Sequence, residues 1–120
     1  MTDATRRASE QLGRRAETLA AWWLRLKGYR ILANRYKGLG GEIDLIARRG
    51  GTIVFVEVKA RSTLEEALNA VTPAQRERIA ASAAGFLAAH PAHGNCDARF
   101  DVIAIRPGKF PVHAVDAWRT

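Results

Sequence analysis

The sequence predicts an α/β layer protein, with helices on both faces of a central mixed β-sheet. Two segments repeat apolar residues at helical spacing, one near the N-terminus and one after Thr72. Between them lie two runs rich in isoleucine and valine, residues 42–48 and 52–59. Both runs are apolar on both faces over part of their length, which is typical of central strands covered on each side. We expect the element order αβββαββ in one domain spanning residues 1–120.

The first helix is expected from Ser9 to Lys27, and residues 1–8 are expected to be a disordered N-terminal tail. Gly28 stands where a left-handed residue would end this helix. Its apolar residues follow the spacing of one helical stripe: Leu12, Ala16, Leu19, Ala20, Trp23 and Leu26.

Three strands should follow this helix. The first runs from Tyr29 to Tyr36 and ends in a glycine-rich loop, residues 37–41. The second and third strands are the two apolar runs, joined around Gly50–Gly51, a dipeptide that accepts the positive φ angles of a hairpin turn. On alternation alone, one face carries Ile43, Leu45, Val54, Val56 and Val58, and the other carries Ile46, Ile53 and Phe55.

The second half of the chain predicts one long helix and two strands. Residues 62–71 are either a loop or a loop containing one helical turn. Thr72 is a suitable N-cap, with proline at the first helical position, so the helix should run from Pro73 to about Ala89. The last strands are expected at residues 99–106 and 110–115.

The chain is strongly basic, with 19 lysines and arginines against 12 acidic residues and a net charge of +7. Such an excess attracts polyanions, so we expect nucleic acid as the partner, with Arg14, Lys37 and Arg61 as candidate phosphate contacts. Individual arginines could equally be solvated residues on a helix surface.

The single cysteine, Cys96, excludes an internal disulfide, and no apolar run approaches the ~20 residues of a membrane span. A cytoplasmic location without membrane contact is expected.

Four charged residues should share one face of the hairpin. If Gly50–Gly51 is a two-residue turn, Asp44 faces Glu57 and Glu42 faces Lys59. Opposed residues of an antiparallel pair project to the same side with Cβ atoms ~5 Å apart. A four-residue loop keeps this register, whereas a three-residue loop sends the two carboxylates to opposite faces.

Two opposed carboxylates repel each other unless a cation lies between them. Mg²⁺ or Mn²⁺ would resolve this repulsion, with Asp44, Glu57 and the backbone carbonyl of Val58 as oxygen ligands. Lys59 would then stand beside the attacking water, which predicts phosphodiester hydrolysis. The alternative is purely structural, with a cross-strand ion pair from Glu42 to Lys59 worth ~0–1 kcal/mol.

The segments GGEIDLIA, FVEVKARS, VTPAQRERI and RFDVIAI occur in this order along the chain. In these segments the chain resembles the YraN-like family of predicted endonucleases, within the PD-(D/E)xK restriction-endonuclease-like superfamily and related to archaeal Holliday-junction resolvases. The resemblance implies a nuclease-like domain with a restriction-endonuclease-like core and a divalent-metal-dependent endonuclease activity. It places the metal-binding acids on Asp44 and Glu57, the lysine on Lys59, an acid of the first helix on Glu17 and a polar residue on Gln75.

Three of the candidate catalytic residues have structural alternatives. Glu17 either reaches over the sheet toward Asp44 or pairs with a neighbouring arginine such as Arg14. Gln75 either positions the attacking water or a phosphate oxygen, or closes a capping box with Thr72. Glu42 belongs to the charged face, with the ion pair as its alternative.

We expect hydrolysis of structured or branched DNA more than of RNA. A non-catalytic nucleic-acid-binding domain and an interaction protein with a structural acidic cluster are the alternatives. A homodimer is expected only by analogy with enzymes that make two symmetric cuts.

Overall fold

The computed structural model describes residues 2–120, and over this range it shows one mixed sheet of five strands in the order β1-β2-β3-β4-β5. Neighbouring strands are antiparallel except β3 and β4, which are parallel. The predicted α/β class and helix-flanked mixed sheet are confirmed, and the arrangement is compatible with a restriction-endonuclease-like core. The elements are α1 (Asp3–Leu26), β1 (Arg30–Lys37), β2 (Glu42–Arg49), β3 (Thr52–Ala60), α2 (Leu64–Asn69), α3 (Pro73–Ala89), a 3₁₀ turn (Pro91–His93), β4 (Asp97–Ile105) and β5 (Val112–Trp118).

The first helix begins earlier than predicted. Residues 3–8, which were expected to belong to a disordered tail, form the first turns of α1, while Met1 lies outside the described residues. The Thr2 side chain accepts a hydrogen bond from the Thr5 N–H, which caps the helix. Asp3 lies in the first turn and pairs with Arg6, a favourable position for an acid near a helix N-terminus. Within residues 2–120, no helix combines the length and apolar character needed to cross a membrane.

Two elements differ from the prediction in the second half of the chain. Residues 64–69 form the short helix α2, capped by the Thr63 side chain, so the order is αβββααββ. The last strand begins two residues and ends three residues later than expected, and its end is anchored by Trp118, which stacks on Phe100 with ring centroids 5.2 Å apart. Phe110 consequently lies in the exposed β4–β5 loop.

The sheet separates two layers of core. Small residues of α1 pack against Leu45, Val54 and Val56 on one face. On the other face α2 and α3 cover Ile46, Ile53 and Phe55. A sheet that is apolar on both faces thus receives helices on both faces, as the pattern of the strands predicts.

The hairpin register is confirmed over the part next to the turn. Backbone pairs run from Arg49 with Thr52 to Leu45 with Val56, which defines a two-residue Gly50–Gly51 turn, with Gly50 at φ +59°.

The prediction that Ile43 lies on the same face of the sheet as Leu45 is wrong. Ile43 packs with Ile46 on the α3 side, although strict alternation places these residues on opposite faces. Regular geometry ends at this point of the sheet: β2 pairs with β3 only as far as Leu45, and Arg35, which falls with Asp44 between the pairs Asn34–Leu45 and Tyr36–Ile43, has φ +50°.

Candidate metal and catalytic centre

Asp44 connects β2 to β3 through its side chain. The last backbone pair between these strands is Leu45–Val56. Beyond it, the Val58 N–H donates to Asp44 Oδ2 over 2.8 Å, and the Asp44 N–H donates to Glu57 Oε1 over 3.4 Å. Asp44 and Glu57 are therefore adjacent, as the hairpin register predicts.

Asp44 is also close to two other acids. Carboxylate oxygens of Glu17, Glu42 and Asp44 all lie within 4.8 Å of one another. Glu17 comes from α1, and its Oε2 accepts a 2.7 Å hydrogen bond from Arg35 Nε. The structure thus combines the two roles considered for Glu17, since it approaches Asp44 and pairs with an arginine. That arginine is Arg35 and not Arg14.

Glu57 is the most buried member of the group, with 2% of its surface exposed. Burial, the neighbouring Asp44 charge and a side-chain hydrogen bond with Asp44 raise the pKa of Glu57 to about 9, although the Lys59 charge and the hydrogen bond from the Asp44 N–H lower it. In the metal-free protein this carboxyl group is therefore neutral at pH 7.

Gln75 faces Glu57 from the start of α3. Its Nε2 lies 3.5 Å from Glu57 Oε2, so the side chain does not close the capping box. The cap instead uses the Gln75 backbone N–H, which donates to Thr72 Oγ1 over 3.2 Å. Of the two roles considered for Gln75, the structure places its side chain at the acidic group.

The expected contact between Glu42 and Lys59 is absent. Glu42 lies with Glu17 and Asp44, and no ion pair joins it to Lys59 within residues 2–120. Lys59 is half-buried and sits two residues beyond Glu57 on β3. The difference follows from the strand pairing, because regular pairing of β2 with β3 ends at Leu45 and Glu42 lies beyond it.

The glycine-rich loop before β2 lies tightly against α3. Ser82 is fully buried, and its Oγ donates to the Gly41 carbonyl over 2.7 Å. A Cβ atom on Gly38 would lie 2.7 Å from Ser82 Cβ, and one on Gly40 would lie 2.5 Å from the Arg78 carbonyl oxygen. These contacts exclude any side chain at the two glycines and fix the start of β2, which carries Glu42 and Asp44. The sequence predicts only a glycine-rich loop here, and nothing in it identifies Ser82 as the contact.

The three predicted phosphate contacts, Arg14, Lys37 and Arg61, lie on different parts of the fold. Arg14 lines a hollow of about 380 Å³ together with Glu17, Arg25 and Arg35. Lys37 is exposed and pairs in register with Glu42. Arg61 is exposed just beyond Lys59, at the end of β3. The hollow adds Arg25 and Arg35, whose proximity to Glu17 depends on how α1 packs against β1.

The donor set suits a hard divalent cation. Carboxylate oxygens of Glu17, Glu42 and Asp44 lie within 4.8 Å of one another, and Glu57, the other predicted carboxylate ligand, accepts a hydrogen bond from the Asp44 N–H. Mg²⁺ and Mn²⁺ prefer such oxygen ligands. Val58 contacts Asp44 through its N–H, and its carbonyl remains a predicted ligand.

A separate buried group lies under the C-terminal end of α1. Asp101 has no exposed surface and accepts hydrogen bonds from Arg99, from His113 Nε2 at 2.7 Å and from the Asp116 N–H at 2.9 Å. Burial alone would raise the pKa of Asp101, but these donors lower it to about 2. Arg99 also donates to the Tyr29 hydroxyl. Asp101 and His113 lie 12 residues apart on different strands, and no motif in the sequence indicates that they meet.

Comparison with known proteins assigns the chain to a family. The family model described as "Uncharacterised protein family UPF0102" matches residues 16–105. A UPF0102 protein from Paramagnetospirillum magneticum is 52% identical over 116 residues, covering 93% of this chain and 90% of the relative. One from Caulobacter vibrioides is 54% identical over 113 residues, covering 92% and 89%. One from Parvibaculum lavamentivorans is 49% identical over 116 residues, covering 97% and 87%. At this similarity along nearly its whole length, the chain belongs to the YraN-like family UPF0102.

Proposed function

We propose that this protein is a divalent-metal-dependent endonuclease of the PD-(D/E)xK superfamily that hydrolyses phosphodiester bonds in structured or branched DNA. One observation carries the proposal. Asp44 lies at the meeting point of Glu57 on β3, Glu42 on its own strand and Glu17 on α1. Family membership supports the assignment of the fold only, because the names of the relatives state no activity.

Repulsion among the acids supports a cation site. The carboxylates of Glu17, Glu42 and Asp44 bring negative charges together, with oxygens within 4.8 Å of one another. Arg35 pairs with Glu17, but its side chain is 38% exposed, so it compensates only part of this charge. We assign Asp44, Glu57 and the Val58 carbonyl as ligands of Mg²⁺ or Mn²⁺, with Glu17 and Glu42 next to them. A bound divalent cation would polarise a phosphoryl oxygen and lower the pKa of a nearby water.

The surrounding side chains have distinct roles in this proposal. The Lys59 ammonium stabilises the negative charge that develops on the phosphate during attack. Gln75 donates from Nε2 toward the Glu57 carboxyl and orients either that group or the attacking water. Glu57 loses its proton when it becomes a ligand, because only the carboxylate binds a cation well. Arg35 holds Glu17 in place through its 2.7 Å hydrogen bond.

Charge supports nucleic acid as the substrate. The net charge of +7 favours phosphate contacts, for which we propose Arg14, Lys37 and Arg61. The hollow with Arg14, Arg25 and Arg35 adjoins Glu17, so positive charge lies next to the acids. We further propose a cytoplasmic location, because the one cysteine, Cys96, is free.

One observation favours a non-catalytic nucleic-acid-binding domain as the second candidate. A neutral Glu57 that hydrogen-bonds to Asp44 and Gln75 satisfies this buried position without any metal. In that case the basic surface would bind DNA and the acids would have a structural role.

The deciding experiment is a cleavage assay with linear, flapped and four-way DNA and RNA, with and without Mn²⁺. We expect Mn²⁺-dependent cleavage of the flapped or four-way DNA. Asp44→Asn and Glu57→Gln should abolish cleavage while DNA binding stays near that of the wild type. These two variants, purified identically, also control for contaminating nucleases. DNA binding without cleavage under all conditions would select the second candidate.

A further inference from the structure

The helix α1 carries two apolar stripes on different sides. The stripe facing the sheet consists of buried residues, mostly alanine: Ala16, Ala20, Ala21 and Leu24. The outer stripe consists of large residues that remain exposed: Leu12 at 59%, Leu19 at 53%, Trp22 at 59% and Leu26 at 78%. The fold therefore buries the small side chains of α1 and leaves these large ones exposed.

The outer stripe has the seven-residue spacing of helix-to-helix packing. Leu12, Leu19 and Leu26 are seven residues apart, with Arg15 and Trp22 at the intervening core positions. These are the a and d positions of a heptad pattern, which places side chains into the holes of a facing helix. A helix packed on a sheet alone has no need for a second stripe of this kind.

The flanks of the stripe permit two identical helices to meet. The e and g positions beside it are Ser9, Ala16, Trp23, Gln11, Thr18 and Arg25, of which only the last is charged. Like charges at these positions would oppose self-association, and here they are nearly absent. An antiparallel pair centred near Leu19 brings Arg15 of each copy close to the tryptophans of the other, where a guanidinium is favourable over the ring.

A groove beside the stripe provides the remaining contact area. It has a volume of about 920 Å³ and lies between α1 and the β4–β5 loop. In that loop Phe110 is 77% exposed and stacks on Trp23 with ring centroids 5.8 Å apart. At ~100 Å² for each large side chain, the outer stripe and Phe110 would bury ~500 Å² per copy and ~1,000 Å² per pair, the lower limit for a specific interface.

We propose that the outer stripe of α1 is the surface on which a second copy of this chain docks, with the two α1 helices antiparallel across a two-fold axis. A single-stranded nucleic acid is the competing occupant, since Arg61, Arg106 and Lys109 also line the groove. The second copy is favoured because leucines dominate the stripe, and leucines pack with other aliphatic side chains, whereas bases stack on aromatic ones. This proposal does not depend on nuclease activity.

The test is the solution mass of the wild type and two matched variants, measured by sedimentation equilibrium without metal or nucleic acid. The wild type should have twice the 13.2 kDa mass of one chain. Leu19→Glu should raise the dimer dissociation constant by at least about 100-fold, because it places two carboxylates at the centre of an apolar contact. Leu39→Glu is the control, since Leu39 is fully exposed and lies outside the stripe.

Thermal unfolding checks that Leu19→Glu remains folded, which we expect because this leucine faces away from the sheet. A wild-type mass of one chain at all concentrations would overturn the proposal. A dimer that Leu19→Glu leaves intact would overturn it too, since the contact would lie elsewhere. A monomer whose binding to an unstructured oligonucleotide is weakened by Leu19→Glu, but not by Leu39→Glu, would assign the groove to nucleic acid instead.

Discussion

The Val58 N–H donates a 2.8 Å hydrogen bond to Asp44 Oδ2, so a backbone group of β3 holds a carboxylate of β2. This bond occupies one oxygen of Asp44 at the point where regular pairing between the strands stops. Asp44 can therefore contact Glu57 on one side and approach Glu17 and Glu42 on the other.

Replacing Lys59 tests whether its charge acts on the reaction. We expect Lys59→Met to reduce Mn²⁺-dependent cleavage by about 10²- to 10³-fold, because one stabilising charge beside the developing phosphate charge is lost. Single-turnover cleavage measures this effect, while the melting temperature reports metal binding and should still rise with Mn²⁺. Lys109→Met, at an exposed lysine of the β4–β5 loop, is the matched control. A Lys59→Met variant that cleaves like the control would remove this lysine from the proposed mechanism.

Glu57 predicts a loss of stability with rising pH in the absence of metal. Its pKa is about 9 in the folded protein against a usual value of 4.5. The unfolded chain therefore releases this proton first, and the free energy of unfolding should fall as pH rises from 4.5 toward 9. In Glu57→Gln, which resembles the neutral acid, this part of the pH dependence should disappear. Urea unfolding at pH 5, 7 and 8.5 measures the difference between the two proteins, and identical pH profiles would show that Glu57 ionises normally.

Divalent ions should stabilise the folded protein in a pH-dependent way. Because Glu57 must lose a proton to become a ligand, the affinity for Mn²⁺ should increase up to about tenfold per pH unit below its pKa. We expect a rise in melting temperature with Mn²⁺ that is larger at pH 8 than at pH 6. Titration calorimetry in buffers of different ionisation enthalpy should show proton release. Asp44→Asn should lose the melting-temperature response, and a response that survives in this variant would place the metal elsewhere.

Asp101 should be the acid whose loss destabilises the fold most. Asp101→Asn leaves Arg99 and His113 facing a neutral group inside the protein, which should cost about 3 kcal/mol. Urea unfolding at pH 7 measures this change. Asp116→Asn is the control, since Asp116 has φ +56°, its carboxylate pairs with the exposed Arg119, and the substitution keeps the backbone N–H that donates to Asp101. Asparagine tolerates that conformation, so we expect a change within about 0.5 kcal/mol.

Acid should remove the contribution of Asp101. Its pKa is about 2 when folded against a usual 3.8, so the stability that it provides is complete above pH 3.8 and is lost as the pH falls toward 2. The difference in unfolding free energy between wild type and Asp101→Asn should shrink across this interval. A constant difference would show that packing, and not charge, explains the effect.

Salt should weaken DNA binding strongly. If Arg14, Lys37 and Arg61 contact phosphates, the logarithm of the affinity should fall linearly with the logarithm of the salt concentration. Each alanine substitution should reduce that slope by about 1. Fluorescence anisotropy with a labelled four-way junction measures both quantities. A flat response to salt would mean that the net charge of +7 is not used for phosphate contacts.

The sequence alone predicted the elements that depend on local chemistry. Gly50–Gly51 defined the hairpin turn, and with it the adjacency of Asp44 and Glu57. Thr72 and Pro73 located the start of α3. Turns and helix caps involve residues that are close in the chain, so a short segment of sequence is enough to predict them.

The tertiary structure decided where distant residues meet. Regular pairing of β2 with β3 ends at Leu45, Ile43 lies on the α3 face, and Glu42 joins Glu17 and Asp44 instead of Lys59. The packing of α1 brought Glu17 to Asp44, and the pairing of β4 with β5 enclosed His113 with Asp101. These outcomes depend on strand distortion and on helix position, which arise when the whole core packs and are not encoded by any short segment.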